Sequence, residues 1–499
     1  MRGGAFHPSF ADFQTIMADS DMKTKTGKRG WIKWVLVSIL LLLVAAVLVV
    51  TIAAKKLLTA DALVAKFEEK YNCRLELGEF NVSGLTGTTK IELKNVRLAE
   101  RDAVADAGTP HDQRTPLEAD VLRVASVTLE ANAADLLKKT ITLKQINISG
   151  LGYYTVIQKD GSHRLEPLFD PPIKINGAAN PKFEEQMKRR EEAKARKKMT
   201  REERKTKEPE VFNIAEFPMP ATMEKFHIGE SQIEVKLKKT KTRITIRDID
   251  LTLSDLDIDP SDLKNHNSAK MRLNAGIDLE DNEREVKYAD LKVSSDGTVI
   301  PFDEVTGYAN PDIAYDITMH KGSMIKEVPA LIKAGREKLQ KYGVSVEEIG
   351  RDLLIEEDTT MKLSFHEGQM RTEQDFDLKF SGNTLLLAKG SWWNSGTNEH
   401  EIPGSILISE ATTKKARGQA EAFLAKKYGL NQDLVAKIAN VLLLPVMREE
   451  KMWMPFVSKG DFSRPKVEAV WEELLDAGDI IKGEAKGKAM ELLNGLLNE

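Results

Sequence analysis

From residue 75 to residue 253 the chain repeats one pattern: an apolar residue, a polar one, then another apolar. Leu75 and Leu77, Phe80 and Val82, Ile91 and Leu93, Val96 and Leu98, Val127 and Leu129, Ile141 and Leu143, and Ile146 and Ile148 form such pairs. The pattern resumes with Ile233, Val235 and Leu237, then Ile244 and Ile246, then Ile249, Leu251 and Leu253. A period of two places all the apolar side chains of a strand on one side of a sheet. Turn signals such as Asp160-Gly161 and Asp296-Gly297 separate some of the segments. The expected body is mainly β, an antiparallel sheet with one greasy side. Asn81-Val82-Ser83-Gly84-Leu85 recurs as Asn147-Ile148-Ser149-Gly150-Leu151. The glycine predicts the same kink or turn in both.

Helical spacing appears in fewer places. Thr59 to Phe67 reads as a short helix, with Thr59 or Asp61 as cap and Leu63 and Phe67 on one face. Met324 to Ile355, Ala420 to Met447 and Val467 to Leu497 read as amphipathic helices, and Pro445 stops the second. Such stripes pack on the domain's own core or rest on a membrane or an apolar sheet face. The segment 181–209 has no apolar period. Glu184 with Lys188, and Glu192 with Arg196, stand at i, i+4, with Glu191 one residue further from Arg196, and support a solvated charged helix. With twelve bases and six acids between Lys182 and Lys207, it is either a charged surface insertion or a basic lever toward an anionic surface.

One run stands apart. Trp34 to Ala54 holds 21 residues without a charge. As a helix it spans a hydrocarbon core about 30 Å thick. Trp31 and Trp34 flank it on one side, and Lys55 and Lys56 on the other, as interfacial anchors. The first 33 residues carry six Lys and Arg against three Asp, while the chain after residue 54 carries 67 bases and 74 acids. The positive-inside rule then keeps residues 1–33 in the cytoplasm and exports the rest. A cleaved signal peptide has a shorter apolar core, so a retained single-pass anchor is expected.

Composition narrows the chemistry. The formal net charge of −4 lacks the basic excess of a nucleic-acid-binding domain. A single cysteine, Cys73, excludes an intramolecular disulfide and any multi-cysteine zinc site. The eight histidines are scattered, and no phosphate loop, dinucleotide loop or nucleophile elbow is present. Ser323-Met324-Ile325-Lys326 matches S-x-x-K without its partner motifs. Cys73 reads as a small buried residue. No catalytic residue, cofactor or metal is therefore expected, and a binding or conducting scaffold is favoured over an enzyme.

With the anchor, the helix after it and the alternating strands in place, the chain resembles the AsmA family of envelope proteins. Leu58-Thr59-Ala60-Asp61 through Phe67, followed by Leu75-Glu76-Leu77-Gly78, is similar to the family's helix and first strand. Ile91 to Leu98 resembles a following strand, and Ala125 to Leu129 with Leu136 to Leu143 a strand–helix–strand passage. Asp160-Gly161-Ser162 through Leu168 resembles its D-G turn, with Arg164 where Asn is usual, and Pro455 to Val467 resembles its closing strand. The resemblance implies a protein of the bacterial inner membrane with its bulk in the periplasm. It also implies a long curled sheet, open along one side, similar to bridge-like lipid-transfer proteins, that serves outer-membrane and envelope biogenesis. Its partners would be membrane lipids, whose acyl chains lie in an apolar groove.

The expected organisation is a tail at 1–33, a membrane span at 34–54, an AsmA-like β domain at 55–180 and a charged helical insertion at 181–209. A central β region at 210–408 carries the helical segment 324–355, and a helical region with the closing strand fills 409–499. Val82, Ile91, Leu93, Leu129, Ile141, Leu143 and Ile148 are the candidate groove residues. The alternative is a scaffold or assembly factor that binds outer-membrane proteins through sheet edges and the terminal helices.

Overall fold

The computed structural model describes residues 59–470 apart from 85–86, 102–119, 133, 136–137, 159–164, 176–177, 199–211, 239–240, 282, 284–285, 327–338, 341–343, 345–352, 395–396 and 462–465. Among the described residues no helix is long and apolar enough to cross a membrane. The apolar run 34–54, with Trp31, Trp34, Lys55 and Lys56, lies outside them. The chain divides into two compact units. The first holds the described residues as far as Lys326 together with Leu354–Glu367, and the second those of 327–353 and all from Gly368 on.

The first unit opens with helix α1 (Ala60–Lys70), whose N-terminus is capped by Thr59 Oγ1 accepting from Ala62 N at 3.2 Å. Strands β1 (Cys73–Glu76) and β2 (Glu79–Ser83) both pair with β3 (Thr88–Glu100). β4 (Leu122–Asn132) pairs next, then β5 (Ile141–Ser149) and β6 (Gly152–Ile157), which together form one interrupted strand. The chain leaves the sheet through the short helix α2 (Leu165–Leu168), the small hairpin β7 (Lys174–Ile175) and β8 (Ala178–Ala179), and helix α3 (Pro181–Lys198). It returns as β9 (Ala221–Leu237), followed by β10 (Thr242–Ile258), β11 (Asn267–Asp281), β12 (Lys287–Phe302) and β13 (Ala309–Met319). β14 (Met324–Ile325) also pairs with β12. β15 (Leu353–Leu354) lies where the chain passes between units, and β16 (Thr359–His366) pairs with β13.

The sheet is antiparallel as expected, with one exception. β9 runs parallel to β5 and β6 at a constant register, Ile141 beside Ala221 through Ile157 beside Leu237. A parallel neighbour needs a crossover, and residues 158–220 supply it. Alternation alone does not reveal this, because period two is the same in parallel and antiparallel strands.

The strands are not straight. In β5 and β6 the inward positions are Ile141 and Leu143, then Ile146 and Ile148, then Leu151 and Tyr153, so the period of two breaks twice by one extra residue. β9 breaks in step, with Met223, then Phe226 and Ile228, then Ser231 and Ile233. β10 has register shifts at Asp248 and Asp255, both with φ of 54°. Each shift is a β-bulge, which bends the strand and flips the parity so that apolar residues stay on the same side. One line of positive-φ residues crosses the sheet: Asn95 (52°), Gly150 (68°), Glu230 (51°) and Asp248 (54°). Gly84 also has positive φ (72°), so the two halves of the N-x-S-G echo share a conformation. Their settings differ, since Gly84 follows the end of β2 while Gly150 interrupts the β5–β6 strand.

The second unit contains β17 (Gln369–Thr372), β18 (Phe376–Phe380), β19 (Asn383–Leu387), β20 (Trp392–Asn394) and β21 (Glu399–Leu407). Helices α4 (Glu410–Tyr428) and α5 (Gln432–Leu443) follow, then β22 (Met447–Arg448), β23 (Lys451–Asp461) and β24 (Lys466–Ala469). The stretch expected as one helix at 420–447 is two. Gly429 adopts the left-handed conformation (φ 66°) and ends α4, and Asn431 caps α5 by accepting from Leu434 N at 2.9 Å. Thr413 Oγ1 accepts from Met452 N at 3.0 Å and ties α4 to β23. The helix expected at 324–355 begins and ends as strand, at β14 and β15. That expected at 467–497 begins as β24, which pairs with β23; the remainder lies outside the described residues, as do 327–338, 341–343 and 345–352.

A Cβ on Gly150 would sit 2.7 Å from Ala125 Cβ, whereas one on Gly322 (φ 82°) meets nothing within 4 Å. Gly322→Ala is expected to cost about 1 kcal/mol from backbone strain alone, and Gly150→Ala about 2–4 kcal/mol because overpacking adds to it. Urea denaturation of the two variants checks the difference.

Candidate ligand-binding face

The apolar side of the first unit has two differently covered regions. Near the start of β5 and β9 it is a closed core. Ile91, Leu129, Ile141, Leu143, Ile146 and Ile148 are all at most 8% exposed and cluster with Met223, Phe226, Leu256, Ile258 and Phe302. The cover comes from the chain itself. Residues 212–220 form a strap with Phe212, Ile214, Phe217 and Met219 packed against this cluster, and Leu263 folds in from the β10–β11 turn. One end of the strap is held at the β12–β13 turn, where Ile214 N donates to Gly307 O and Ala309 N to Phe212 O, both at 2.9 Å. At the other, Ile141 N donates to Pro220 O at 2.9 Å.

A second core, built from Val64, Cys73, Leu75, Leu77, Leu98, Val121 and Leu168, lies under α1, with Leu63 and Phe67 packed on it. Glu68 Oε1 accepts from the buried Leu75 N at 2.9 Å, which locks α1 to β1. Cys73 is fully buried, and burial pushes its thiol up to about 12, so it is protonated and unreactive at neutral pH.

Of the seven candidate groove residues, Ile91, Leu129, Ile141, Leu143 and Ile148 therefore belong to the strapped core. Val82 packs at its margin and Leu93 at the margin of the second core. The expected open groove is filled at these positions by the protein's own side chains. Alternation reports that a strand has an apolar side. It does not report what covers that side, and the strap carries no period of its own.

Past the line of bulges the aliphatic side continues with partial exposure. Cross-strand partners share a face. Ile233, Ile246, Ile277 and Leu291 form one such row across β9, β10, β11 and β12. Val235, Ile244, Leu279, Ala289 and Ile325 form the next. Apart from the buried Ala289, all of these are half-buried, and none belongs to the two cores above. On the strap side of the Asp248 bulge lie the rows Leu251–Leu273–Ser295–Ile317–Met361 and Leu253–Met271–Gly297–Tyr315–Leu363, which run from Leu251 and Leu253, packed against the strapped core, to β16. Gly297 leaves room for Tyr315 opposite it, where a Cβ would sit 2.6 Å from Tyr315 Cβ, and burial pushes the Tyr315 phenol up to about 12. Ser295 Oγ is buried here without a hydrogen-bond partner among the described residues. A group left so costs about 1–3 kcal/mol, which a bound polar atom would offset. Rows lie about 7 Å apart along the strands and about 4.8 Å apart across them, so the patch is long enough for several hydrocarbon units.

Ile277, Leu279, Leu291 and Val293 were not among the candidates, although their own period of two was available in the sequence.

The opposite side is polar and braced by ions. Arg247 reaches Asp278 (3.1 Å) and Asp290 (2.7 Å), and Lys287 meets the same two carboxylates at 2.9 and 2.8 Å. Gly276 makes space for the Arg247 side chain, since a Cβ there would lie 2.5 Å from Nη1. The hydrogen bond that Arg247 donates to Asp278, with the neighbouring carboxylates, raises the Arg247 pKa further. His227, His266, His320 and His366 each stand beside an aspartate, at Asp250, Asp257, Asp358 and Asp312. Ser323, from the S-x-x-K match, is fully buried, and its Oγ accepts from Lys292 N at 2.9 Å, a link between backbone segments. Among the described residues no three His, Cys, Asp or Glu side chains are placed to hold a metal.

No protein-family model, no curated protein and no solved structure matches this chain.

The native protein is expected to leave Cys73 unmodified by a thiol-specific chromogenic reagent at neutral pH, with one equivalent reacting on denaturation. Rapid labelling of the folded protein would contradict the packing around α1.

Proposed function

We propose that this is a membrane-tethered envelope protein of AsmA type that holds or passes lipids, their acyl chains lying on the half-buried aliphatic rows of β9 to β13. The observation that carries the reading is the continuation of one apolar side from a strapped core into rows of Ile, Val and Leu that keep partial exposure. An apolar sheet face with no strap over it among the described residues calls for a core, a membrane or a ligand. Each acyl CH₂ buried there contributes about 0.8 kcal/mol, so aliphatic strands hold a lipid without catalytic groups. The ion network on the other side keeps that side in water. The resemblance around 55–175 and the apolar run 34–54 support a single-pass chain of the bacterial inner membrane with its bulk in the periplasm. Its role is support of envelope and outer-membrane biogenesis.

The experiment is lipid mass spectrometry on purified full-length protein. Ile246→Glu combined with Ile277→Glu is expected to lower co-purifying lipid several-fold while the circular dichroism spectrum stays native. Leu143→Glu, in the strapped core, is expected to unfold the unit, because an unpaired buried charge costs more than about 4 kcal/mol. Wild-type protein free of lipid, or lipid content indifferent to the Ile246 and Ile277 changes, would overturn the reading. Protein crosslinks at these rows with no lipid between would favour a scaffold instead.

A further inference from the structure

Helix α3 is the longest charged element of the first unit, and the lipid-binding reading gives it no role. Its base is built firmly. Asn180 is buried, donates from Nδ2 to Pro172 O at 2.7 Å and accepts from Lys182 N at 3.1 Å as an N-cap, with Pro181 at the first helical position. The preceding segment is fastened to α1. Asn72 N donates to Asp170 O at 2.7 Å, Tyr71 and Phe169 meet edge to face at 5.9 Å, and Leu168 shares a core with Val64.

Charge is segregated along the helix. Glu184 and Glu185 oppose Lys182 in its first turns, whereas residues 188–198 carry seven Lys and Arg against Glu191 and Glu192. Half-buried Phe183 and Met187 mark the side of the first turns that packs inward, and Lys188 is exposed. Beyond them the only uncharged residues are Ala193 and Ala195. The sequence of this stretch has no apolar stripe of the kind that packs a helix on a core. Seven like charges on a short helix repel one another unless an anionic partner neutralises them.

We propose that the basic end of α3 docks on a bilayer surface rich in anionic phospholipid headgroups. The inference rests on the tether proposed above. α1 begins six residues after the apolar run ends at Ala54, a stretch that spans at most about 20 Å. The 11 residues of α1 add about 16 Å, and the 18 residues of α3 extend about 27 Å from a base attached to the end of α1. The base of α3 is thus at most about 36 Å along the chain from the membrane, and a linker short of full extension brings the basic turns to its surface. Lys and Arg near such a surface are attracted over roughly a Debye length, about 8–10 Å at ordinary salt.

The test uses full-length protein in vesicles, with a fluorophore on Ala193→Cys; the buried Cys73 stays unlabelled. Energy transfer from this dye to an acceptor lipid is expected to be at least about twofold higher in phosphatidylcholine–phosphatidylglycerol vesicles than in phosphatidylcholine alone. It should fall to the neutral level in high salt, and in a Lys194→Glu, Arg196→Glu, Lys197→Glu variant whose helix content is unchanged. Equal transfer in both vesicle types, or transfer indifferent to the triple change, overturns the proposal, as does equal displacement by heparin and by anionic vesicles. Vesicle flotation separates this from failure of the tether. A chain that floats only with anionic vesicles lacks the anchor but supports α3, and one that floats with neither refutes both. Lipid on the aliphatic rows is read independently by mass spectrometry of the same sample.

Discussion

A sheet with one apolar side works only if every strand keeps its aliphatic residues on that side while the strands bend. Period two is unforgiving here, because a slip of one residue turns the whole apolar set to water. The first unit meets this constraint with bulges placed in step. β5–β6 and β9 change parity at matched positions, so Ile148 lies beside Ile228 and, past the kinks, Tyr153 beside Ile233. In β10 the same correction falls at Asp248 and Asp255, where short acidic side chains tolerate positive φ and stand in the polar face. The line of kinks bends neighbouring strands together while the aliphatic side stays continuous.

That continuity sets up two regimes on one surface. Where residues 212–220 cross it, the side is a conventional core, with Ile214 at 6% exposure and Phe302 at 8%. Past the kinks the same chemistry goes on with no strap over it among the described residues. In the proposed reading, stability and ligand binding fall to different stretches of the same strands. The ion network of Arg247, Asp278, Lys287 and Asp290 braces the polar side of those later stretches. Arg247, Asp278 and Asp290 each stand one residue from Ile246, Ile277 and Leu291, on the opposite face, and Lys287 stands two residues from Ala289. The strands can thus stay in register without a full core beneath them.

Much of this was legible in the residues. Alternation identified β1 to β5, the second half of β9 and β10, the mainly β class and the apolar side, but not β6 or the first half of β9. Thr59 with Leu63 and Phe67 announced α1, and the i, i+4 pairs after Glu184 announced α3. Three things were not legible, each for a physical reason. The parallel β5–β9 pair depends on a crossover that leaves no trace in either strand. The strap is a non-periodic segment whose apolar residues acquire meaning only from its tethers at Gly307 and Ile141. The continuous helices expected over 420–447, 324–355 and 467–497 were overridden by capping at Gly429 and by the strand pairing of Met324 with β12 and of Val467 with β23. For the same reason the candidate groove residues were drawn from the strongest alternation. That alternation marks the best-packed core, and the weaker pattern of β11 and β12 marks the partly exposed rows.

The central claim is that the rows beyond the kinks touch acyl chains. Replacing Ile277 by a benzophenone-bearing amino acid, irradiating the full-length protein in its native membrane and weighing the intact product reads this directly. An added mass equal to a phospholipid at position 277, absent when the same probe replaces the exposed Lys292, is the expected result. A product carrying only protein adducts, or no lipid adduct at either position, would contradict it.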